Sequence, residues 1–242
     1  NLVTSGTAVA ADFTLAGSMV IPALGTATTT TLSIVNDTLD EDGTVPIANE
    51  TVVIDISGVT NGTEGSSDGS GTEQETVTIV DDDALPTVTF TFTPTTVFED
   101  STASTTATVT ATLNTASGLG VTVNFAKSGN AIAADYSLGD LIVIAAGQTA
   151  NSITMTVIGD LLNEGNETVT LDITTVVNGA ELGTQTKTVT ITDDDAQPTV
   201  TLSVGSSSVG ETGETTTVTA TLSAPSGLPV TVNLATSGTA GG

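Results

Sequence analysis

Two runs of three aspartates, Asp81–Asp83 and Asp193–Asp195, stand at matching places in this chain. Each follows an alternating apolar run, and each is followed by two residues, a proline and a fresh alternating run. Two carboxylates about 4 Å apart repel one another by on the order of 4 kcal/mol at an effective dielectric constant near 20. Because the arrangement occurs twice, we interpret the runs as parts of a cation site between stacked β domains.

Other acids of the complete repeat follow predicted strands or lie together in one loop. Glu99 follows its first predicted strand, Asp135 follows the third, and Asp160, Glu164 and Glu167 crowd one loop. In an antiparallel sandwich, turns separated by an even number of strands lie at the same end, so these acids can meet the second Asp run on one rim. Six to eight oxygen ligands suit Ca²⁺. Transition metals are disfavoured because the chain has no His and no Cys.

The acids allow two other interpretations. Surface acids in a very acidic protein can cluster by chance or serve solubility. The stretch Asp40–Gly43 faintly resembles an EF-hand loop, but that register places Thr38 and Asn49 at positions that need carboxylates. The recurrence of cluster and spacing favours the rim site.

Composition excludes several functions. The 242 residues include 28 Asp+Glu and only 2 Lys+Arg, for a formal net charge of -26, so nucleic acid and anionic membranes are poor partners. No apolar run approaches the ~18 residues of a membrane helix, and no basic segment opens a signal peptide.

Without His or Cys, His-containing triads and cysteine nucleophiles are impossible. A carboxylate pair could serve a glycosidase, but few aromatic residues are available for a sugar cleft, and we predict that the protein is not an enzyme.

Internal repeats set the domain organisation. The motif of residues 1–8 recurs at 124–131 and again at 233–240, and Pro86 and Pro198 are 112 positions apart. We therefore predict that 1–83 is the later part of one repeat, 84–195 is a complete repeat, and 196–242 holds the opening strands of a third. The complete repeat has about seven short alternating segments bounded by turns, which predicts an all-β fold of tandem immunoglobulin-like antiparallel sandwiches.

As a set, these motifs resemble the Calx-beta family, known from the cytosolic loop of sodium–calcium exchangers and from bacterial surface proteins. The pattern comprises Ser128-Gly129-Asn130-Ala131, Asp135-Tyr136, the acidic loop from Asp160 through Glu164, Glu167-Thr168, and Asp193-Asp194-Asp195. The resemblance implies an immunoglobulin-like sandwich with Ca²⁺ at the rim that faces the next domain.

Carried over position by position, the resemblance implies two sets of metal ligands. In the complete repeat they are Glu99, Asp135, Asp160, Glu164, Glu167, Asp193, Asp194 and Asp195. In the first repeat they are Asp12, Asp37, Glu50, Asp81, Asp82 and Asp83. Counting back from Glu50 puts Ile47 at the position of Glu164, so the first set lacks one acid, for which Asp40 and Asp42 are substitutes. We expect one or two ions per domain.

The function expected first is a calcium-binding structural repeat of a long extracellular protein, a cell-surface adhesin or filament whose domain junctions Ca²⁺ rigidifies. The alternatives are a calcium-sensing regulatory module of a membrane transporter and a passive stalk for an enzyme elsewhere in the parent protein. The expected partners are neighbouring copies of the same repeat, head to tail. Residues 196–232 of one copy and 1–83 of the next would complete a domain, unless one continuous polypeptide supplies both parts.

Overall fold

A computed structural model of the chain describes residues 1–41, 43, 49–65, 73–100 and 103–238. These residues form strands, turns and irregular segments and contain no helix. No helix long and apolar enough to cross a membrane is therefore found among them. The fold is all-β, as predicted.

The complete repeat is a sandwich of two five-stranded sheets. Its strands are β6 (Thr87–Thr93), β7 (Thr96–Glu99), β8 (Thr106–Leu113), β9 (Val121–Gly129), β10 (Tyr136–Ser137), β11 (Leu141–Ile144), β12 (Ala150–Val157), β13 (Glu167–Val177), β14 (Ala180–Glu181) and β15 (Thr186–Asp193). One sheet has the order β10-β12-β8-β6-β14 and the other the order β11-β9-β13-β15-β7. The first predicted strand is divided between the sheets as β6 and β7, and two-residue strands add to the seven predicted segments.

Period-two alternation explains why these segments become strands with one buried face. In β6, Val88, Phe90 and Phe92 point into the core, while Thr89 and Thr91 lie on the other face. The Phe90 ring meets that of Phe125 from the second sheet edge to face, with centroids 5.1 Å apart. Aliphatic side chains from both sheets fill the rest of the core, and this rigid block positions the loops at its two ends.

The first repeat has one sheet of this kind and a fragment of the other. Its strands are β1 (Leu2–Gly6), β2 (Phe13–Thr14), β3 (Ser33–Ile34), β4 (Glu50–Ile56) and β5 (Gln74–Ile79). The order β1-β4-β5 repeats the order β9-β13-β15, and Gly6 faces Val52 as Gly129 faces Val169. The inner face is open, and it lines a cavity of about 400 Å³ that includes Leu2, Leu15, Met19, Leu32, Ile54 and Ile56.

The third segment is an isolated hairpin of β16 (Val200–Val204) and β17 (Val218–Leu222). Val200 pairs with Leu222 as Val88 pairs with Leu113 in the complete repeat. The apolar side chains of this hairpin are exposed, with Leu202 at 56% and Val218 at 54%. The hairpin therefore has the pairing of opening strands, and within the described part of the chain no sheet packs against it.

Candidate metal centre

The two strand ends at the rim of the complete repeat bring two acids side by side. Strand β7 runs parallel to β15, and Glu99 lies opposite Asp193 in that pairing. Glu167 begins β13, which pairs with β15 on its other side. The rim thus has three adjacent strand ends, each of which carries a carboxylate.

A tight turn fixes Asp135 near these strand ends. Its backbone N–H donates to the Ile132 carbonyl at 3.1 Å, its side chain accepts the Ile132 N–H, and its carbonyl accepts the Ile158 N–H at 2.8 Å. The last contact ties the turn to the start of the acidic loop. A side-chain hydrogen bond joins Asp135 to Glu167 when one of the two carboxyl groups carries a proton.

Asn163 links the acidic loop to the Asp run. Its side-chain amide donates to Asp193 Oδ2 at 3.0 Å and to the Asp195 carbonyl at 3.2 Å. Within the loop, Asp160 Oδ1 accepts the Leu162 N–H at 2.6 Å. Loop and strand end therefore form one hydrogen-bonded unit, although sequence reasoning did not assign Asn163 a role.

The electrostatics of this rim are those of carboxylates crowded together. Burial, then the charges of Asp160, Glu164, Asp135 and Asp193, raise the pKa of Glu99 to about 7. The Glu99 side chain is 4% exposed. Partial burial of a carboxylate disfavours its charged form, and like charges add to that effect.

Three more acids of the rim have raised pKa values. Burial, the hydrogen bond to Asp135 and the nearby carboxylates raise the pKa of Glu167 to about 7. Burial and the acids around them also raise the pKa of Glu164 and of Asp195. Lys127 pairs instead with Asp140 at 2.6 Å. No basic side chain acts on Glu99, Glu164, Glu167 or Asp195.

The complete repeat thus brings seven of its eight predicted ligands into one electrostatic cluster. The remaining one, Asp194, is exposed and lies beside the cluster in the Asp run, where its charge helps to raise the pKa of Asp195. Carboxylates with no basic partner, several of them partly buried, form the kind of oxygen-only donor set that a hard divalent cation satisfies.

The first repeat has the same framework. Asp12 closes the same turn, with its carbonyl bonded to the Val35 N–H at 2.8 Å. Asp37 Oδ1 accepts the Leu39 N–H at 2.8 Å, as Asp160 accepts that of Leu162. Asp81, Asp82 and Asp83 can each place an oxygen within 4.8 Å of the others.

Glu41 is the acid that sequence reasoning missed in this rim. Its backbone N–H donates to Asp81 Oδ2 at 3.0 Å. Burial, then the charges of Glu50, Asp37, Asp12 and Asp81, raise its pKa. These neighbours match those around Glu164, so Glu41 takes the place of Glu164 and the assignment of that place to Ile47 was wrong.

The error came from counting backwards across an insertion. Asp37, Asp40 and Glu41 are each 123 positions before Asp160, Asn163 and Glu164. Counting forwards from Asp37 would have found Glu41, because the extra residues follow it. Ile47 and Asp42 lie outside the described residues.

Fold and rim together define a class of protein, the all-β chain with internal repeats and a β-sandwich that has an acidic rim. No known family model and no curated protein matches the chain.

Among solved structures, the chain is similar to the apo form of the Calx CBD1 domain, with 19% identity and a TM-score of 0.37, over 45% of this chain and 99% of that one. It is also similar to CBD12 from CALX1.2 and to the calcium-binding domain CBD12 of CALX1.1, at 20% and 21% identity with TM-scores of 0.37. It spans 45% and 44% of those two chains and they cover 44% of it.

Proposed function

We propose that this chain binds Ca²⁺ at the acidic rims of its repeats, as a non-catalytic structural part of a long array. The observation that carries the proposal is the rim of the complete repeat, where Glu99, a residue only 4% exposed, lies among four other acids. An isolated buried charge is costly, so such a group needs a proton or a cation. A divalent ion bound there would compensate for the lost hydration and would offset the repulsion between the carboxylates.

Ca²⁺ fits this donor set better than other ions. All candidate ligands are oxygens, and Ca²⁺ accepts six to eight of them in flexible geometry. The site residues come from separate elements, namely strand ends, a turn and a loop, so ion binding would tie these elements together. Zn²⁺ and other borderline ions prefer nitrogen or sulfur ligands.

Neighbouring repeats are the proposed partners of this segment. This proposal is supported by the open inner face of the first repeat and by the exposed hairpin β16–β17. The hairpin pairs Val200 with Leu222 as β6 and β8 pair Val88 with Leu113, so it corresponds to the strands that the first repeat lacks. Exposed apolar faces and strand edges are normally covered. Head-to-tail neighbours, whether from a second copy or from the same polypeptide, would cover both.

The cellular setting proposed first is the extracellular surface, in an adhesin or filament. Its support is compositional: the chain is acidic, rich in Thr and Gly, and made of repeats joined without flexible linkers. The alternative is a calcium-sensing module of a membrane transporter, because the same motifs occur in the cytosolic loop of sodium–calcium exchangers. Labelling of intact and permeabilised cells with an antibody to this segment separates the two settings.

Thermal unfolding in EDTA, Ca²⁺ and Mg²⁺ tests the site itself. An ion that binds only the folded state at 100 times its Kd adds about 2.7 kcal/mol to the free energy of unfolding per site. We expect the melting temperature to rise by several degrees in Ca²⁺ and by less in Mg²⁺. Identical melting curves in EDTA and in millimolar Ca²⁺ would contradict the proposal. A Kd in the range of ~10⁻⁴–10⁻³ M would favour the extracellular role, and a much tighter one the sensor.

A further inference from the structure

A serine–glycine turn of the complete repeat is held by the acidic loop of the repeat before it. The Gly118 N–H donates to the Asp40 carbonyl at 2.9 Å, and Ser117 Oγ donates to the same oxygen at 3.0 Å. The Leu119 N–H in turn donates to Ser117 Oγ at 3.1 Å, which keeps the hydroxyl in place. Ser117 and Asp40 are each 1% exposed. The contact is therefore well packed and excludes water.

The next joint along the chain has the same contact. The Gly227 N–H donates to the Asn163 carbonyl at 3.2 Å, and Ser226 Oγ donates to that oxygen at 3.4 Å. Leu228 supplies the supporting N–H at 3.2 Å. In both joints the two segments form a parallel β-bridge. The geometry thus occurs twice with different residues in the acceptor position, because the acceptor is the main chain.

The two glycines are required for space rather than for backbone conformation. Neither is among the residues with positive φ. A Cβ built on Gly118 would lie 2.6 Å from Glu41 Cγ, and one on Gly227 would lie 2.5 Å from Glu164 Cγ. Real Cβ atoms do not approach that closely, so the glutamate stem occupies the place of a side chain in each joint.

Each joint consequently has two attachments. One is covalent, through the short links 84–85 and 196–197 that precede the prolines. The other is the Ser–Gly turn, which contacts a loop that is itself bonded to the Asp run by Glu41 N–H to Asp81 Oδ2 or by Asn163 to Asp193. A single flexible attachment would allow bending, whereas two attachments restrict it.

We propose that the Ser–Gly turn is a docking element that seats each repeat on the acidic loop of the preceding repeat, and that the glycine–glutamate contact determines which repeats fit. The partner is a repeat with an acid or amide followed by Glu, as in Asp40-Glu41 and Asn163-Glu164. The contact uses main-chain hydrogen bonds and packing, so it needs no bound cation. It goes beyond the proposed function and is tested without Ca²⁺.

The absence of Cys makes a distance measurement straightforward. Thr60 and Ser104 are exposed and lie in the first and the complete repeat, so T60C and S104C can each carry a spin label. In EDTA we expect pulsed electron paramagnetic resonance to give one narrow distribution of the distance between the two spin labels. Gly118→Ala and Gly118→Val should cause loss of the narrow distribution, with the greater broadening for Val.

A rescue variant and a matched control make the result specific. Gly118→Ala combined with Glu41→Ala should restore the narrow distribution, because the glutamate stem is removed. Gly120→Ala is the control, since its Cβ would meet only Ile144 O at 3.8 Å. Unfolding curves of each variant verify that the complete repeat is folded.

Three results would overturn the inference. The first is a narrow distribution that persists in folded Gly118→Val. The second is a distance distribution of the Gly118→Ala, Glu41→Ala double variant that is as broad as that of Gly118→Ala alone. The third is a parent chain whose distribution is broad in EDTA and narrows only with Ca²⁺, which would leave the proposed calcium function intact while removing the cation-independent joint.

Discussion

Glu99 lies opposite Asp193 in the parallel pair of β7 and β15, which brings a carboxylate from the start of the repeat beside one from its end. The two residues are 94 positions apart in sequence. Strand β7 reaches this place only because the chain leaves the sheet of β6 and joins the opposite sheet. The buried member of the rim is therefore supplied by a crossing between sheets, and the domain must be folded before the cluster exists.

The metal-free protein should become more stable as the pH falls from about 8 to about 5. Glu99 and Glu167 have pKa values raised to about 7 from an ordinary 4.5. The folded state therefore binds more protons than the unfolded state between these values, and the free energy of unfolding decreases as the pH rises through 7. Thermal unfolding in EDTA at a series of pH values measures how steeply the free energy of unfolding changes with pH, and this is the slope that the variants test. Glu99→Gln should flatten it, whereas Glu211→Gln, in an exposed loop of the third segment, should not. A slope of opposite sign in the parent would contradict the raised pKa values.

Asp194→Asn and Glu167→Gln should weaken Ca²⁺ binding without loss of the calcium-free fold. Both substitutions keep the shape of the side chain and remove one negative charge from the rim. Because Glu167 also lies within the cluster, its neutral variant should melt at a higher temperature than the parent in EDTA at pH 8. Calorimetric titration measures the affinities. Parent-like titrations for both variants would show that these two residues are not ligands.

Glu41→Gln should weaken Ca²⁺ binding at the rim of the first repeat and leave that of the complete repeat unchanged. Burial, then the charges of Glu50, Asp37, Asp12 and Asp81, raise its pKa, as burial and the rim acids raise that of Glu164. Glu75→Gln, on the exposed strand β5, is the matched control. A Ca²⁺ titration measures the number of ions bound and their affinities, and so tests whether Glu41 is a ligand. An unchanged titration for Glu41→Gln would restore the first repeat to the smaller ligand set inferred from sequence.

The chain should associate with itself in a concentration-dependent way through its open ends. The inner side chains of β16 correspond to Val88, Phe90 and Phe92, which are buried in β6. Leu202→Asp should lower the association, because it places a charge on the face that would be covered. Ser203→Asp, on the opposite face of the strand, should leave association nearly unchanged. Sedimentation velocity over a range of concentrations gives the result, and equal behaviour of the two variants would argue against docking through this face.

Calcium should protect the joints from proteolysis more than it protects the loops far from the rim. The Asp run of each rim belongs to the segment that leads into the next repeat, such as Asp195 before Pro198. An ion that ties strand end, turn and loop together would reduce local opening there. Limited proteolysis followed by mass spectrometry locates the cuts in EDTA and in Ca²⁺. Equal cutting at the 196–197 link under both conditions would show that the ion does not stiffen the joint.

The sequence by itself determined the strands, the repeats and most of the acids. Alternation of residues such as Val88, Phe90 and Phe92 determines which face of a strand is buried, because side chains two apart share a side. Recurrence at a constant offset relates the acids of one repeat to those of the next. These properties depend on local pattern and composition, which are visible without coordinates.

The tertiary structure alone decided which acids are buried together and how one repeat meets the next. The near-complete burial of Glu99 results from the passage of its strand between sheets, and the role of Glu41 from an insertion placed after it. The contact of Gly118 with the Asp40 carbonyl joins two repeats through main-chain atoms. The Ser-Gly-Leu triplet at 117–119 recurs at 226–228 in the sequence. Which carbonyl that turn meets depends on where the backbone of the preceding repeat lies, and a main-chain acceptor is not visible in residue types.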